Sequence, residues 1–452
     1  MSSQARAFWS CAIIVRAFRL CAVFGSLHSG TLHPISRTVA HTFSLIFLSM
    51  LALTTALRAW LALRQLRHVQ VRRDAVPAEF ADRITPDEHR KAADYTSAKT
   101  RLALVELVVD AALLLAFTFG GLLTAFDQLW RGMFDAAGYA HGLALFASVG
   151  IAGFLVGLPF SLYRTFSLEA RFGFNKMTPA LYLGDLLKQV LLTVLIGAPL
   201  LLAVLWLMGA MGSRWWLYVW TTWLGFNLLV LLLYPTLIAP LFNKFSPLAD
   251  GEMKSRIEAL LARCGFASSG LFVMDGSKRS AHGNAYFTGF GRAKRIVFFD
   301  TLLEKLAPAE VEAVLAHELG HFKHRHVWKR IAMMAALSLA FLWLLGQLID
   351  QPWFYAGVNV GAGGTAMALI LFSLLLPVFT FPVAPLMSWL SRRHEFEADA
   401  YASQQAGSGD LISALVKLYR DNAATLTPDP LHSLFYDSHP PASQRIAHLK
   451  SA

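Results

Sequence analysis

The chain has 452 residues, of which 56% are hydrophobic and only 15% charged, and its mean hydropathy is +0.48. Soluble domains carry about 25% charged residues, so this composition excludes an ordinary soluble protein and indicates a membrane protein. The net charge of +11 would suit nucleic acid, yet the basic residues fall in short segments between apolar runs. Membrane topology accounts for that distribution, and no nucleic-acid partner is expected.

Residues 1–40 are read as an uncertain N-terminal extension. Phe8 to Leu27 is apolar but contains Arg16 and Arg19, each costing about 2.5–3.5 kcal/mol near a bilayer centre. The segment is an extra span, an interfacial helix or an upstream extension, with the last two favoured. Five spans are expected in a membrane domain over 41–240, at 42–63, 102–126, 143–162, 190–211 and 217–238. Two more follow in 331–390, at 331–349 and 366–390, each long enough to cross about 30 Å of hydrocarbon. The connections after spans one, three, five and seven are rich in Arg and Lys, whereas 127–142, 212–216 and 350–365 are poor in them. Positive-inside reasoning therefore places the N-terminus outside and every long polar segment on the cytoplasmic side. Cys11, Cys21 and Cys264 form no C-x-x-C pair, so neither a disulfide framework nor a thiolate metal site is expected.

The polar segment 241–330 reads as a small α/β unit. Residues 251–264 have helical period, 271–275 and 296–299 are strand-like, and the second half of 277–287 suits an edge strand. Pro308, Glu310 and Glu312 favour a helix start, which leads into His317-Glu318-Leu319-Gly320-His321. This is the H-E-x-x-H pattern. Two histidines four apart share one helix face and can converge on zinc, with the glutamate beside the metal as proton acceptor. The competing reading is a solvated helix that happens to carry two histidines. A catalytic zinc takes three protein ligands plus water, so one ligand is missing. His324 and His326 are expected to continue the same helix, and Val327 breaks the longer H-E-x-x-H-x-x-G-x-x-H pattern.

The segment 391–452 supplies the better candidate, Arg392-Arg393-His394-Glu395-Phe396-Glu397-Ala398-Asp399. Glu395 and Asp399 share one helix face, so one can bind metal while the other holds a ligating histidine; Glu397 is expected to point elsewhere. A juxtamembrane helix end of mixed charge is the alternative. Farther on, Ser438-His439-Pro440-Pro441 and Arg445 are either an incidental tail or a functional pair. In the functional case His439 donates to an oxyanion and Arg445 braces a carboxylate or that histidine.

Together H-E-L-G-H, R-R-H-E-F-E-A-D and S-H-P-P resemble the type I CAAX prenyl endopeptidase family, a group of integral-membrane zinc proteases. So do Leu237–Phe245, Gly276–Ser280, Asn284–Phe287, Lys294–Val297, Phe299–Leu303 and, in the N-terminal half, Phe172–Lys176. The resemblance implies a mostly α, polytopic fold of about seven membrane helices around a chamber, with a small α/β zinc-protease domain. It implies one zinc ion per chain bound by His317, His321 and Glu395, with Glu318 as general base and Asp399 behind a ligand. It further implies that His439 and Arg445 support the transition state, and that Asn284 and Ala285 hold the substrate backbone as an added strand. The expected activity is hydrolysis of peptide bonds by a metal-activated water, in a peptide or protein substrate, prenylated or not, with membrane lipid around it. Two alternatives are a quality-control protease without prenyl specificity and a transporter-like protein with a structural zinc, for which Glu106 and Asp110 speak. The tail lacks a di-lysine pattern, and the expected site is a bacterial inner membrane.

Overall fold

In a computed structural model the described residues are 34–288, 294–361 and 364–451. The readings placed on Phe8 to Leu27, and on Cys11 and Cys21, lie outside them.

The membrane part runs in chain order through α1 (Pro34–Val71), α2 (Pro86–Phe117), α3 (Leu122–Arg131), α4 (Tyr139–Tyr163), α5 (Pro179–Leu192), α6 (Ala198–Ala210) and α7 (Trp215–Leu233). Short π turns carry α4 on to Glu169, join α5 to α6 and extend α7. All five spans expected in this part are found, and most helices outrun their apolar stretches. Helix α1 has 38 residues, about 57 Å at 1.5 Å per residue, so its basic C-terminal turns stand clear of the hydrocarbon. Helix α2 starts well before the apolar run, because Thr85 and Glu88 form a reciprocal cap: Glu88 Oε2 accepts the Thr85 N–H at 2.7 Å, and Thr85 Oγ1 accepts the Glu88 N–H at 3.3 Å. The second span is a bent pair, α2 and α3 meeting at 46°. Gly121 at φ 74° makes the turn, a conformation only glycine adopts freely.

The polar unit comprises β1 (Phe245–Pro247), α8 (Glu252–Arg263), β2 (Leu271–Met274), β3 (Ala285–Thr288), β4 (Arg295–Phe299), α9 (Asp300–Leu303) and α10 (Pro308–Lys323). The strands form one sheet in the order β1-β2-β4-β3, with β2 and β4 parallel and both outer pairs antiparallel. The central pair and the edge strand match the sequence reading. Strand β1 escapes it, being three residues at an edge and closed by proline. Helices α11 (His326–Leu348), α12 (Pro352–Ala356), α13 (Thr365–Thr380) and α14 (Ala384–Ala406) follow, of which α11 and the run from α13 into α14 are long and apolar enough to cross a membrane, and α15 (Ser408–Asp421), α16 (Pro430–Tyr436) and α17 (Ala442–Ser451) complete the described residues. By length and apolarity, six described helices or helix runs qualify as spans, and the bent pair makes a seventh.

One core lies among the spans around Phe47, Leu145, Leu345 and Leu371. A second joins the sheet to α8, α10, α14 and α15 through Ile257, Phe298, Val311 and Leu411. The basic connections touch one another. Arg64 donates to Asp429 at 3.0 and 3.3 Å, Arg279 to Asp185 at 2.8 and 3.0 Å, and Lys188 to the Leu241 carbonyl at 2.8 Å.

Candidate metal centre

Helix α10 opens at Pro308, where the Glu310 carboxylate accepts the Ala307 N–H at 2.8 Å and satisfies one of the free donors of a helix start. Its buried face carries Val311, Leu315, Ala316 and Leu319 into the second core. That packing turns His317 and His321 toward α14. The helices touch closely because position 320 is glycine: a Cβ there would stand 2.9 Å from Ala398 Cα. Across this contact Glu395 faces both imidazoles. Its Oε2 lies 3.4 Å from His317 Nε2, and its Oε1 lies 3.4 Å from His321 Nε2.

One ligand atom from each of His317, His321 and Glu395 fits within 4.8 Å of the others, the only such group found among the described residues. Ligands bound to one zinc at 2.0–2.1 Å in tetrahedral array stand about 3.3 Å apart, close to the spacing seen here. Glu395 is 5% exposed, and its buried Oε2 has no hydrogen-bond partner. A buried carboxylate oxygen left without a donor is costly, and a cation between these three groups would satisfy it. Two imidazole nitrogens and one carboxylate form a donor set that suits zinc.

His317 Nδ1 lies 2.8 Å from Asp399 Oδ1. Asp399 is fully buried and accepts both Nε, at 2.8 Å, and Nη2 of Arg445. Of the two partners left open for Arg445, a carboxylate and His439, the structure brings it to the Asp399 carboxylate. His439 is more than half exposed, with Nε2 3.5 Å from Glu395 Oε1 and Nδ1 against Ser438 Oγ. Glu318 is half-buried, and its carboxylate, among the described residues, engages no hydrogen bond or ion pair. Burial pulls the His317 pKa down, but the Asp399 carboxylate on Nδ1 and the negative charge of Glu395 close by outweigh that and hold it at about 9.

Asn284 and Ala285 sit at the free edge of the sheet, with β3 against α10. Asn284 is exposed; its side-chain oxygen accepts the Ala285 N–H at 2.8 Å, and its carbonyl accepts the Phe299 N–H at 2.9 Å. Sequence reasoning missed Asn422, whose Oδ1 accepts the Gly283 N–H at 3.2 Å and lies 3.1 Å from His282 Nδ1. It holds the lead-in to β3 from a helix end 139 residues away, and no local pattern marks it.

One expectation is corrected and another holds. His324 and His326 do not continue α10: the helix ends at Lys323, Arg325 takes the left-handed conformation at φ 56°, and α11 begins at His326. Glu397 points away from the three-residue cluster, yet it is engaged, 3.0 Å from His326 Nε2.

A model of the CAAX prenyl protease N-terminal region, described by five membrane helices, matches residues 65–244, and the model of peptidase family M48 matches residues 247–452. The CAAX prenyl protease 1 homolog of Arabidopsis thaliana is 34% identical over 396 residues, which cover 86% of this chain and 92% of the relative. CAAX prenyl protease 1 of Saccharomyces cerevisiae is 33% identical over 402 residues, covering 83% and 88%. The crystal structure of S. mikatae Ste24p has a similar fold, with a TM-score of 0.84 at 32% identity over 90% of this chain and 98% of that one.

Proposed function

The chain belongs to peptidase family M48 as a membrane metallopeptidase of the CAAX prenyl protease type, and we propose that its metal is a single zinc ion held by His317, His321 and Glu395. One observation carries this reading: two helices bring these three side chains together around a buried Glu395 oxygen that has no hydrogen-bond donor.

Bound zinc would supply the Lewis acidity that makes a water nucleophilic near neutral pH. The chain's own groups divide the remaining work. Glu318, beside His317 and free of partners, accepts the proton of the attacking water and passes it to the leaving amine. His439 donates a hydrogen bond where negative charge develops on the carbonyl oxygen. Asp399, clamped by Arg445, takes the His317 Nδ1–H and so keeps the lone pair of Nε2 turned inward. The free edge of β3 at Asn284 and Ala285 pairs with an extended peptide, which fixes the scissile bond relative to α10.

The names of the relatives support a prenylated CAAX terminus as substrate. Basic loop charge supports a site on the cytoplasmic side. Both relatives named above are eukaryotic and lend no support to a bacterial inner membrane. The family match displaces the transporter reading; of its two carboxylates, Glu106 pairs with Arg164.

Glu318→Gln should retain stoichiometric zinc and lower cleavage by at least about 10²–10⁴-fold, the usual worth of a general base; full activity overturns the assignment. Purified protein should cleave a farnesylated CAAX peptide faster than its unprenylated counterpart. Equal rates would leave the quality-control reading instead.

A further inference from the structure

The two imidazoles of the metal centre are backed in different ways. His317 meets a carboxylate directly, at Asp399. Behind His321 stands a second imidazole. His326 Nδ1 lies 2.9 Å from His321 Nδ1, and His326 Nε2 lies 3.0 Å from Glu397 Oε2. Arg393 Nε then donates to Glu397 Oε1 at 3.2 Å, as Arg445 does to Asp399. His326 is 5% exposed and stacks on His394, ring centroids 4.0 Å apart and planes 12° apart. The break after α10 makes this possible. With Arg325 in the left-handed region, the first residue of α11 folds back onto the last turn of α10.

The hydrogen positions follow from the partners. An ionised carboxylate only accepts, so the hydrogen between His326 and Glu397 sits on His326 Nε2. The neutral ring then offers a lone pair at Nδ1, and the hydrogen between the imidazoles must sit on His321 Nδ1. That leaves the lone pair of His321 on Nε2, the nitrogen facing Glu395.

We propose that His326 and Glu397 are a positioning pair that fixes the tautomer and ring angle of His321, a relay parallel to Asp399 and Arg445. The inference rests on His321 being a zinc ligand. His326 itself is no ligand, since it meets His321 on the side away from Glu395.

The test uses the full chain in detergent, with zinc affinity read by chelator competition and ligand geometry read from the visible spectrum of the cobalt-substituted protein. His326→Ala should weaken zinc about 10–100-fold and shift the cobalt bands. His326→Asn places an acceptor near the lost Nδ1 and should recover most of the affinity. Glu397→Gln should cost less, and nothing further when added to His326→Ala. Wild-type affinity and spectrum in His326→Ala, no recovery in His326→Asn, or additive losses overturn the proposal. If His326→Ala fails to fold, unchanged affinity and spectrum in Glu397→Gln overturn it instead. His321→Ala separates the premise: undiminished zinc binding there refutes the metal-centre reading, whereas its loss leaves the relay to be judged on the other variants.

Discussion

At the scale of single residues, His317 illustrates what the buried cluster does to proton binding. Two carboxylates keep its pKa at about 9 in the absence of metal, so at pH 7 the metal-free imidazole is protonated. A cation needs the neutral ring. Zinc uptake at pH 7 should therefore release about one proton from His317, measurable as a buffer-dependent heat in titration calorimetry; buffer-independent heats would contradict it. Because this pKa lies above the ordinary value of about 6.5, the proton stabilises the metal-free fold fully below pH 6.5, and that stability fades as pH rises through 9. Asp399→Asn keeps the shape but removes the charge opposite Arg445 and the firm acceptor for His317. It should weaken zinc about 10–100-fold, read by chelator competition.

At the scale of elements, the site depends on how closely α10 and α14 approach. A Cβ at position 320 would meet α14 backbone at 2.9–3.1 Å, and backbone cannot step aside as a side-chain tip can. Gly320→Ala should spread the helices, lowering zinc affinity and thermal stability together, whereas the same change at Gly150, where a Cβ meets nothing within 4 Å, should alter neither. Glu310 ties α10 to α15 through Ser413 and Lys417, both at 2.7 Å. Burial raises its pKa, but the bonds from Lys417, Ser413 and the Ala307 N–H outweigh that and hold it below the usual carboxylate range. Its folded pKa is depressed, so its contribution is present above about pH 4.3, the unperturbed value, and is lost as pH falls through the lower folded one. Glu310→Gln should cost about 1.5–3 kcal/mol at pH 7, seen as a lower Tm, with the gap to wild type closing in acid.

At the scale of the molecule, a clasp joins the two ends of the described chain. Asp429 caps α16 through the His432 N–H at 2.9 Å, accepts from Nε and Nη2 of Arg64 on α1, and donates its own N–H to Gln65 Oε1 at 2.7 Å. The segment it anchors carries His439 and Arg445 to the metal centre. Asp429→Asn should lower both kcat and Tm, since the tail loses its register on the first span. Unchanged kcat would show that the tail is placed by its other contacts alone.

Composition, span lengths and loop charge determined the membrane class, because hydrocarbon thickness and the cost of burying charge act on local sequence whatever the packing. The H-E-x-x-H pair was legible for the same reason: helical period fixes two side chains four residues apart. The bent second span, the close approach at Gly320, the choice of Asp399 as the partner of Arg445, the hold of Asn422 on β3 and the imidazole behind His321 were not legible in that way. Each of these contacts is made by packing or by a single residue's backbone turn, and neither a left-handed Arg325 nor a partner over a hundred residues away leaves a period or spacing to read. Tertiary structure alone decided them.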